Sequence, residues 1–161
     1  MDTARGPWPW RAGLASVLAY TLAFNLTFLV QELGLVLPKA LVPGLAPVLY
    51  HNNHAWSGAN PLAELFQGTG ALATLLTGLC AGLWLRRTGS SRAWLRLLAF
   101  WLAFAGLFMA LAQIALAPVL PQGDVARALD WLGLAPAARN GLALLAVATM
   151  PASALWLLGP L

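Results

Sequence analysis

The chain has 161 residues, of which 60% are hydrophobic and only 9% are charged. Soluble domains usually carry about 25% charged residues, and so short a chain cannot hide this much apolar surface in a soluble core, so the composition indicates an integral membrane protein. The net charge is +4, but the arginines cluster at the ends of apolar runs, as membrane topology requires, and this excludes a nucleic-acid signal.

Four apolar runs are each long enough to cross about 30 Å of hydrocarbon as a helix. They are Ala12–Leu37, Pro61–Leu85, Ala93–Leu120 and Asn140–Leu161. The first is too long for the core of a signal peptide, and no small-x-small cleavage site follows it, so we interpret it as a retained span. The sequence therefore predicts an all-α fold: a single domain over residues 1–161, built as a bundle of four transmembrane helices.

Basic residues predict how the bundle is oriented. One side of the predicted membrane carries six of them, and the other side carries Lys39, Arg127 and Arg139. The positive-inside rule then places both termini in the cytoplasm. The preference for Arg over Lys fits a GC-rich bacterial genome, so we expect a bacterial cytoplasmic membrane. Four of the five carboxylates and both histidines fall on the outer side.

The first predicted helix carries polar residues on one face. Thr21, Asn25 and Glu32 recur at spacings of four and seven, and we expect this stripe to point into the bundle, where polar groups find partners. An acid within a membrane helix is a functional candidate because an unpaired charge there is costly. The alternative is that Glu32 hydrogen-bonds a neighbouring helix or reaches the interface.

Small residues mark the second helix at every fourth position. Gly70, Thr74, Gly78 and Gly82 form a ridge that lets another backbone approach closely. We predict that this ridge packs inside the bundle. A homo-oligomer contact is the alternative.

The two outer loops are not ordinary soluble loops. Loop one, Pro38–Asn60, has prolines among Leu and Val and is too apolar for water, so we expect it to be partly re-entrant. Loop two, Pro121–Arg139, has apolar residues at helical spacing between Asp124, a plausible N-cap, and Gly133, a plausible C′ residue. It predicts a short interfacial helix.

Both histidines lie in loop one. His51 and His54 are three residues apart, which on a helical turn would place both imidazoles on one side, close enough to share a metal. The alternative is a pair of loop residues that bond the backbone. We further predict that both turn inward towards Glu32, which needs a polar partner. Asp124 has two interpretations, as a helix cap or as a ligand.

The segment Gln31-Glu-Leu-Gly-Leu35 resembles the zinc-binding helix of the site-2-protease type of intramembrane metalloproteases, often written His-Glu-Leu-Gly-His. In addition, Gln67–Thr74 is similar to the Ala-Gly-Pro-x-x-Asn helix of that family. Gly123-Asp124 is similar to the site of its late Asp zinc ligand. The resemblance places Glu32 at the base position, but Gln31 and Leu35 replace both zinc-binding histidines.

Two functions remain from this sequence. The first is a non-catalytic membrane protein on a degenerate metalloprotease-like scaffold, which lies in the lipid bilayer and binds another membrane component, either another membrane protein or a further copy of itself. The second is a small hydrolase-like enzyme with a rebuilt site at the outer face. That site would hold zinc or another divalent transition metal through His51, His54, Glu32 and Asp124.

Overall fold

The computed structural model describes residues 10–51, 53–88 and 92–159. These residues form six α-helices and one two-stranded antiparallel sheet. In chain order the elements are α1 (Trp10–Ala40), β1 (Ala46–Leu49), β2 (His54–Ser57), α2 (Leu62–Leu65), α3 (Gly68–Arg87), α4 (Ala93–Leu116), α5 (Asp124–Trp131) and α6 (Pro136–Leu158).

Four helical segments are long and apolar enough to cross a bilayer. They are α1, the combined stretch of α2 and α3, α4 and α6. This confirms the four predicted spans and supports a multi-pass, membrane-integral protein. The predicted all-α class holds for the bundle, but loop one contains two strands that hydropathy did not predict.

Helix α1 continues to Ala40 although Pro38 lies inside it. A proline has no N–H, so it leaves the carbonyl four residues earlier, that of Gly34, without its helical hydrogen bond. The Thr69 hydroxyl lies 2.6 Å from this oxygen and 2.6 Å from the Phe66 carbonyl, so its single proton is shared between the two. A side chain on α3 thereby lets α1 extend past the proline, beyond the predicted end at Leu37.

The ridge of small residues packs inside the bundle, as predicted. A Cβ on Gly78 would lie 2.6 Å from the Leu107 backbone nitrogen, and one on Gly106 would lie 2.6 Å from the Thr74 carbonyl oxygen. The backbones of α3 and α4 therefore touch at this point. Helix α4 also packs on α1 and on α6, so it lies at the centre of the bundle.

The prediction for the polar face of α1 is wrong at two positions. Thr21 and Asn25 are exposed, whereas Glu32 is buried as predicted, beside a buried row of Ala23, Thr27, Gln31, Leu35 and Lys39, spaced by four. The Thr21 hydroxyl donates to the Val17 carbonyl at 2.9 Å, and the Asn25 amide donates to the Thr21 carbonyl at 2.7 Å. Because each side chain finds an acceptor in its own helix, neither needs the bundle interior.

The strands β1 and β2 form a hairpin that folds back along α1. Ala46 pairs with Ser57 and Leu49 pairs with His54. At the base of the hairpin Gly58 has a φ of +107°, and a Cβ there would lie 1.9 Å from the Gly44 carbonyl oxygen. Only glycine fits this close approach. The hairpin contacts α1, and this brings His54 beside Glu32.

The short helix predicted in loop two is present as α5. Its N-cap is Gly123, so Asp124 is the first helical residue instead of the cap. At the other end Gly133 has a φ of +66°, its N–H donates to the Asp130 carbonyl, and the Leu134 N–H donates to the Leu129 carbonyl. This pair of bonds is a Schellman motif, which satisfies the last carbonyls of the helix.

Candidate functional site: a buried polar cluster

Glu32 of α1 and His54 of β2 meet inside an otherwise apolar bundle. The His54 Nδ1 and Glu32 Oε2 atoms are 2.9 Å apart, and the two side chains are only 7% and 6% exposed. The predicted approach of His54 to Glu32 is confirmed. A carboxylate so far from water requires such a partner, because a buried charge without one is strongly destabilising.

Two more side chains complete what we call the polar cluster: Glu32, His54, Lys39 and Gln67. The Gln67 Oε1 atom accepts a hydrogen bond from the Lys39 ammonium at 2.9 Å and lies 3.1 Å from His54 Nε2. Lys39 also donates to the Leu35 carbonyl at 3.0 Å. Lys39 is fully buried and Gln67 almost so, so these bonds replace the water that both groups lose.

Hydrogen-bond counting fixes where a proton lies in the polar cluster. The Lys39 ammonium only donates, so the Gln67 amide must turn its oxygen towards it. His54 Nε2 faces the same oxygen and therefore carries a hydrogen. One further proton then lies between His54 Nδ1 and Glu32 Oε2. Both ring nitrogens of His54 are therefore engaged by side chains of the polar cluster.

Trp56 connects the polar cluster to α5. The Lys39 Nζ atom lies 4.8 Å from the centre of its ring, and the Arg127 guanidinium carbon lies 5.0 Å from it. Both cations gain from the electron-rich ring. Arg127 in turn holds both carboxylate oxygens of Glu64 at 2.7 Å. Polar contacts thus hold the hairpin to α1 and α5, and Arg127 of α5 extends them to α2.

Asp124 borders the polar cluster from the start of α5. Burial raises the pKa of the Asp124 carboxyl above its ordinary value, and the nearby His54 and Lys39 counteract part of this rise. Within the described residues no three His, Cys, Asp or Glu side chains are placed to hold a metal ion together. Asp124, Glu32 and His54 therefore do not form the ligand set that the sequence proposed.

His51 is exposed, so the prediction that it turns inward is wrong. The Tyr50 N–H donates to the Asn53 carbonyl at 2.8 Å and extends the pairing of the hairpin, so the two histidines do not share the helical turn that would align their imidazoles. His51 instead lines a lateral recess of about 440 Å³ on the outward face of α1, together with Asn25, Phe28 and Leu29.

The two positions that carry histidines in the resembled zinc motif have structural roles here. The Gln31 Oε1 atom accepts a hydrogen bond from the Gln113 amide of α4 at 3.2 Å. Leu35 is 1% exposed, and its Cγ would lie 2.7 Å from a Cβ on Gly70 of α3. Both side chains therefore hold α1 against its neighbours.

Sequence reasoning missed Lys39, a member of the polar cluster, and Arg127, which contacts Trp56 beside it. Lys39 is seven residues after Glu32 and therefore on the same face of α1, which is a signal that would have found it. The sequence analysis places Lys39 instead in loop one, Pro38–Asn60. Arg127 gave no such signal, since only the fold of α5 brings it to Trp56.

Comparison with known proteins adds no functional assignment. The sequence matches no protein-family model, and no curated protein and no solved structure is significantly similar to it. A functional conclusion therefore depends on the geometry of the chain itself.

Proposed function

We propose that this chain is a non-catalytic, multi-pass membrane protein on a degenerate metalloprotease-like scaffold, which acts by binding another membrane component. The observation that carries the proposal is the use made of Gln31 and Leu35. Each occupies a zinc-ligand position of the resembled motif, and each is committed to helix packing. A scaffold that has turned both ligand positions into packing contacts has lost the means to hold that metal.

The polar cluster supports the same proposal. Glu32 stands where the resembled motif has its general base, but its partner is the His54 imidazole and not a water on a metal. Lys39 and Gln67 make the remaining contacts of the cluster, which holds the hairpin against α1. Every buried nitrogen and oxygen of the described side chains has a hydrogen-bond partner, as expected of a structural site.

The surface of α1 supports the binding role. Asn25 and the neighbouring His51 line the lateral recess, whose other walls are Leu and Phe side chains. Polar groups that face lipid are costly and associate helices by hydrogen bonding. The recess is therefore the surface on which another membrane component docks.

The proposed orientation in the membrane has both termini in the cytoplasm of a bacterial cell and the hairpin at the outer face. His54 contacts Glu32, which lies eight residues before the end of α1 at Ala40, or about 12 Å along the helix axis. If α1 ends at the interface, the hairpin is re-entrant and the polar cluster lies within the outer leaflet.

The proposal predicts that the purified protein needs no metal. We expect substoichiometric zinc by elemental analysis, and a thermal unfolding midpoint that neither a chelator nor added zinc changes. A metal that binds the folded protein and is present at a free concentration of 100 times its dissociation constant would stabilise the fold by about 2.7 kcal/mol, which is easily detected. One zinc per chain, lost on His54→Ala, would overturn this prediction and favour the metal-dependent alternative instead.

The binding role is tested by photocrosslinking in native membranes. A photoreactive amino acid replaces Leu29, which is 46% exposed in the recess, and the matched control replaces Leu144, which is 72% exposed on α6. We expect a discrete membrane adduct from position 29 and none from position 144. Equal, diffuse labelling from both positions would mean that only lipid covers the recess.

A further inference from the structure

The outward face of α1 carries a regular seam. Its residues are Leu14, Leu18, Thr21, Asn25 and Phe28, at alternating spacings of four and three. This is the spacing by which two helices interlock side by side in a coiled coil. The first four residues are exposed and Phe28 is half-buried. The hairpin covers the continuation of this face at Glu32 and leaves the seam open.

Asn25 lies at the middle of α1, fifteen residues from both Trp10 and Ala40, or about 22 Å along the axis from either end. In a bilayer this is the depth at which no water is available. One N–H of its amide is bonded to the Thr21 carbonyl. The second N–H and the amide oxygen can still form hydrogen bonds, and the side chain is exposed.

We propose that a second copy of this chain covers the seam, with the two α1 helices parallel and the two Asn25 amides hydrogen-bonded to each other. An amide is both donor and acceptor, so it is its own complement about a two-fold axis. All copies share one orientation in a membrane, and parallel α1 helices therefore bring Asn25 opposite Asn25. Lipid tails would leave the second N–H and the oxygen of each amide without a partner. The inference rests on the proposed function, since it names the membrane component that is bound.

Disulfide crosslinking of the full-length protein in liposomes tests the contact. The exposed native thiol is removed by Cys80→Ala. In that background, Leu18→Cys on the seam is compared with Leu144→Cys, at an exposed position of α6. A two-fold seam places residue 18 near its own copy, so mild oxidation should give a covalent dimer for Leu18→Cys and not for Leu144→Cys. Equal crosslinking at both sites, or none at either, overturns the proposal.

Asn25→Leu tests the hydrogen bond and keeps the side-chain size similar. A polar contact between membrane helices contributes about 1–2 kcal/mol in favourable cases. We therefore expect the dissociation constant of the dimer, measured by single-molecule photobleaching, to rise about 5- to 30-fold. Thr149→Val is the control, because its hydroxyl also bonds its own helix, at 2.7 Å to the Leu145 carbonyl. An unchanged dimer in Asn25→Leu overturns the proposal.

Native membranes separate this inference from the proposed function. If a photoreactive group at position 18 forms an adduct with a different membrane protein and none with a second copy, the dimer is wrong but the binding role stands. If no position in the seam or the recess forms any protein adduct, both fail.

Discussion

At the residue scale, the protein keeps an acid inside an apolar bundle by giving it one close partner. The Glu32 Oε2 and His54 Nδ1 atoms lie 2.9 Å apart, so each buried group satisfies the other. The positive charge on Lys39 is offset by two carbonyl oxygens and the face of Trp56. Loss of a single partner would leave a buried group unsatisfied.

The two histidines are predicted to differ sharply in their effect on stability. His54→Ala removes the partner of Glu32 and one partner of Gln67, and should lower the free energy of unfolding by about 1–3 kcal/mol. His51→Ala alters an exposed side chain and should leave it within about 0.5 kcal/mol. Thermal unfolding in detergent measures both. Equal midpoints for the two variants would mean that the polar cluster does not hold the fold.

The partnership of Glu32 and His54 was predictable because a carboxylate in hydrocarbon needs a donor and loop one is the nearest source. The outward direction of the Asn25 side chain was not predictable, because the sequence does not reveal that its amide donates to the Thr21 carbonyl. Polar side chains that reach their own helix lose the need to face inward. The direction of a polar stripe therefore depends on packing elsewhere in the bundle.

At the element scale, helices α3 and α4 pack through direct contact of their backbones. Gly78 and Gly106 lie opposite each other, and a Cβ on Gly106 would lie 2.7 Å from the Gly78 nitrogen. The atoms that it would meet belong to the backbone and cannot rotate away. The helices would have to separate, and the dispersion contacts along the ridge would weaken.

Gly106→Ala is therefore predicted to destabilise the protein by about 1–3 kcal/mol through overpacking. Gly141→Ala on α6 is the matched control, since nothing lies within 4 Å of its added Cβ. It should be neutral or stabilising by up to about 1 kcal/mol, because alanine favours a helix. The thermal unfolding midpoints of both variants are compared with that of the unchanged protein in the same detergent. A stable Gly106→Ala variant would contradict the close approach.

Hydropathy predicted the long helices well because length and apolar composition are properties of each segment alone. The hairpin was missed because its strands have only four residues each and are held by contacts distant in sequence. Helix α1 was predicted to end before Pro38, and the reason it does not is Thr69, on another helix. Local signals identify elements, and tertiary partners decide their ends.

At the scale of the whole molecule, charge is divided between the two ends of the bundle. Of the described residues, the hairpin end holds all four carboxylates, three of them paired: Glu32 with His54, Glu64 with Arg127, and Asp130 with Arg139. The described charged residues at the opposite end are all basic, among them Arg86, which donates to the Trp156 carbonyl at 2.9 Å. This division supports the orientation proposed from the positive-inside rule.

Cysteine labelling on intact cells tests that orientation. In the Cys80→Ala background, a membrane-impermeant maleimide should label Ser57→Cys, at the end of β2, without permeabilisation. Ser90→Cys lies outside the described residues, in the connection between α3 and α4, and should be labelled only after the membrane is opened. The reverse pattern would show that the chain is inverted.

The separation of charge has a consequence in a living cell, where the membrane is electrically polarised with the inside negative. Each elementary charge moved through 100 mV changes the free energy by about 2.3 kcal/mol. Five described arginines lie at the end proposed to be cytoplasmic: Arg11, Arg86, Arg87, Arg92 and Arg96. The field attracts that end inward, while the hairpin end, with four carboxylates against Lys39, Arg127 and Arg139, is close to neutral and is affected little. A membrane potential of this sign would therefore reinforce the proposed orientation.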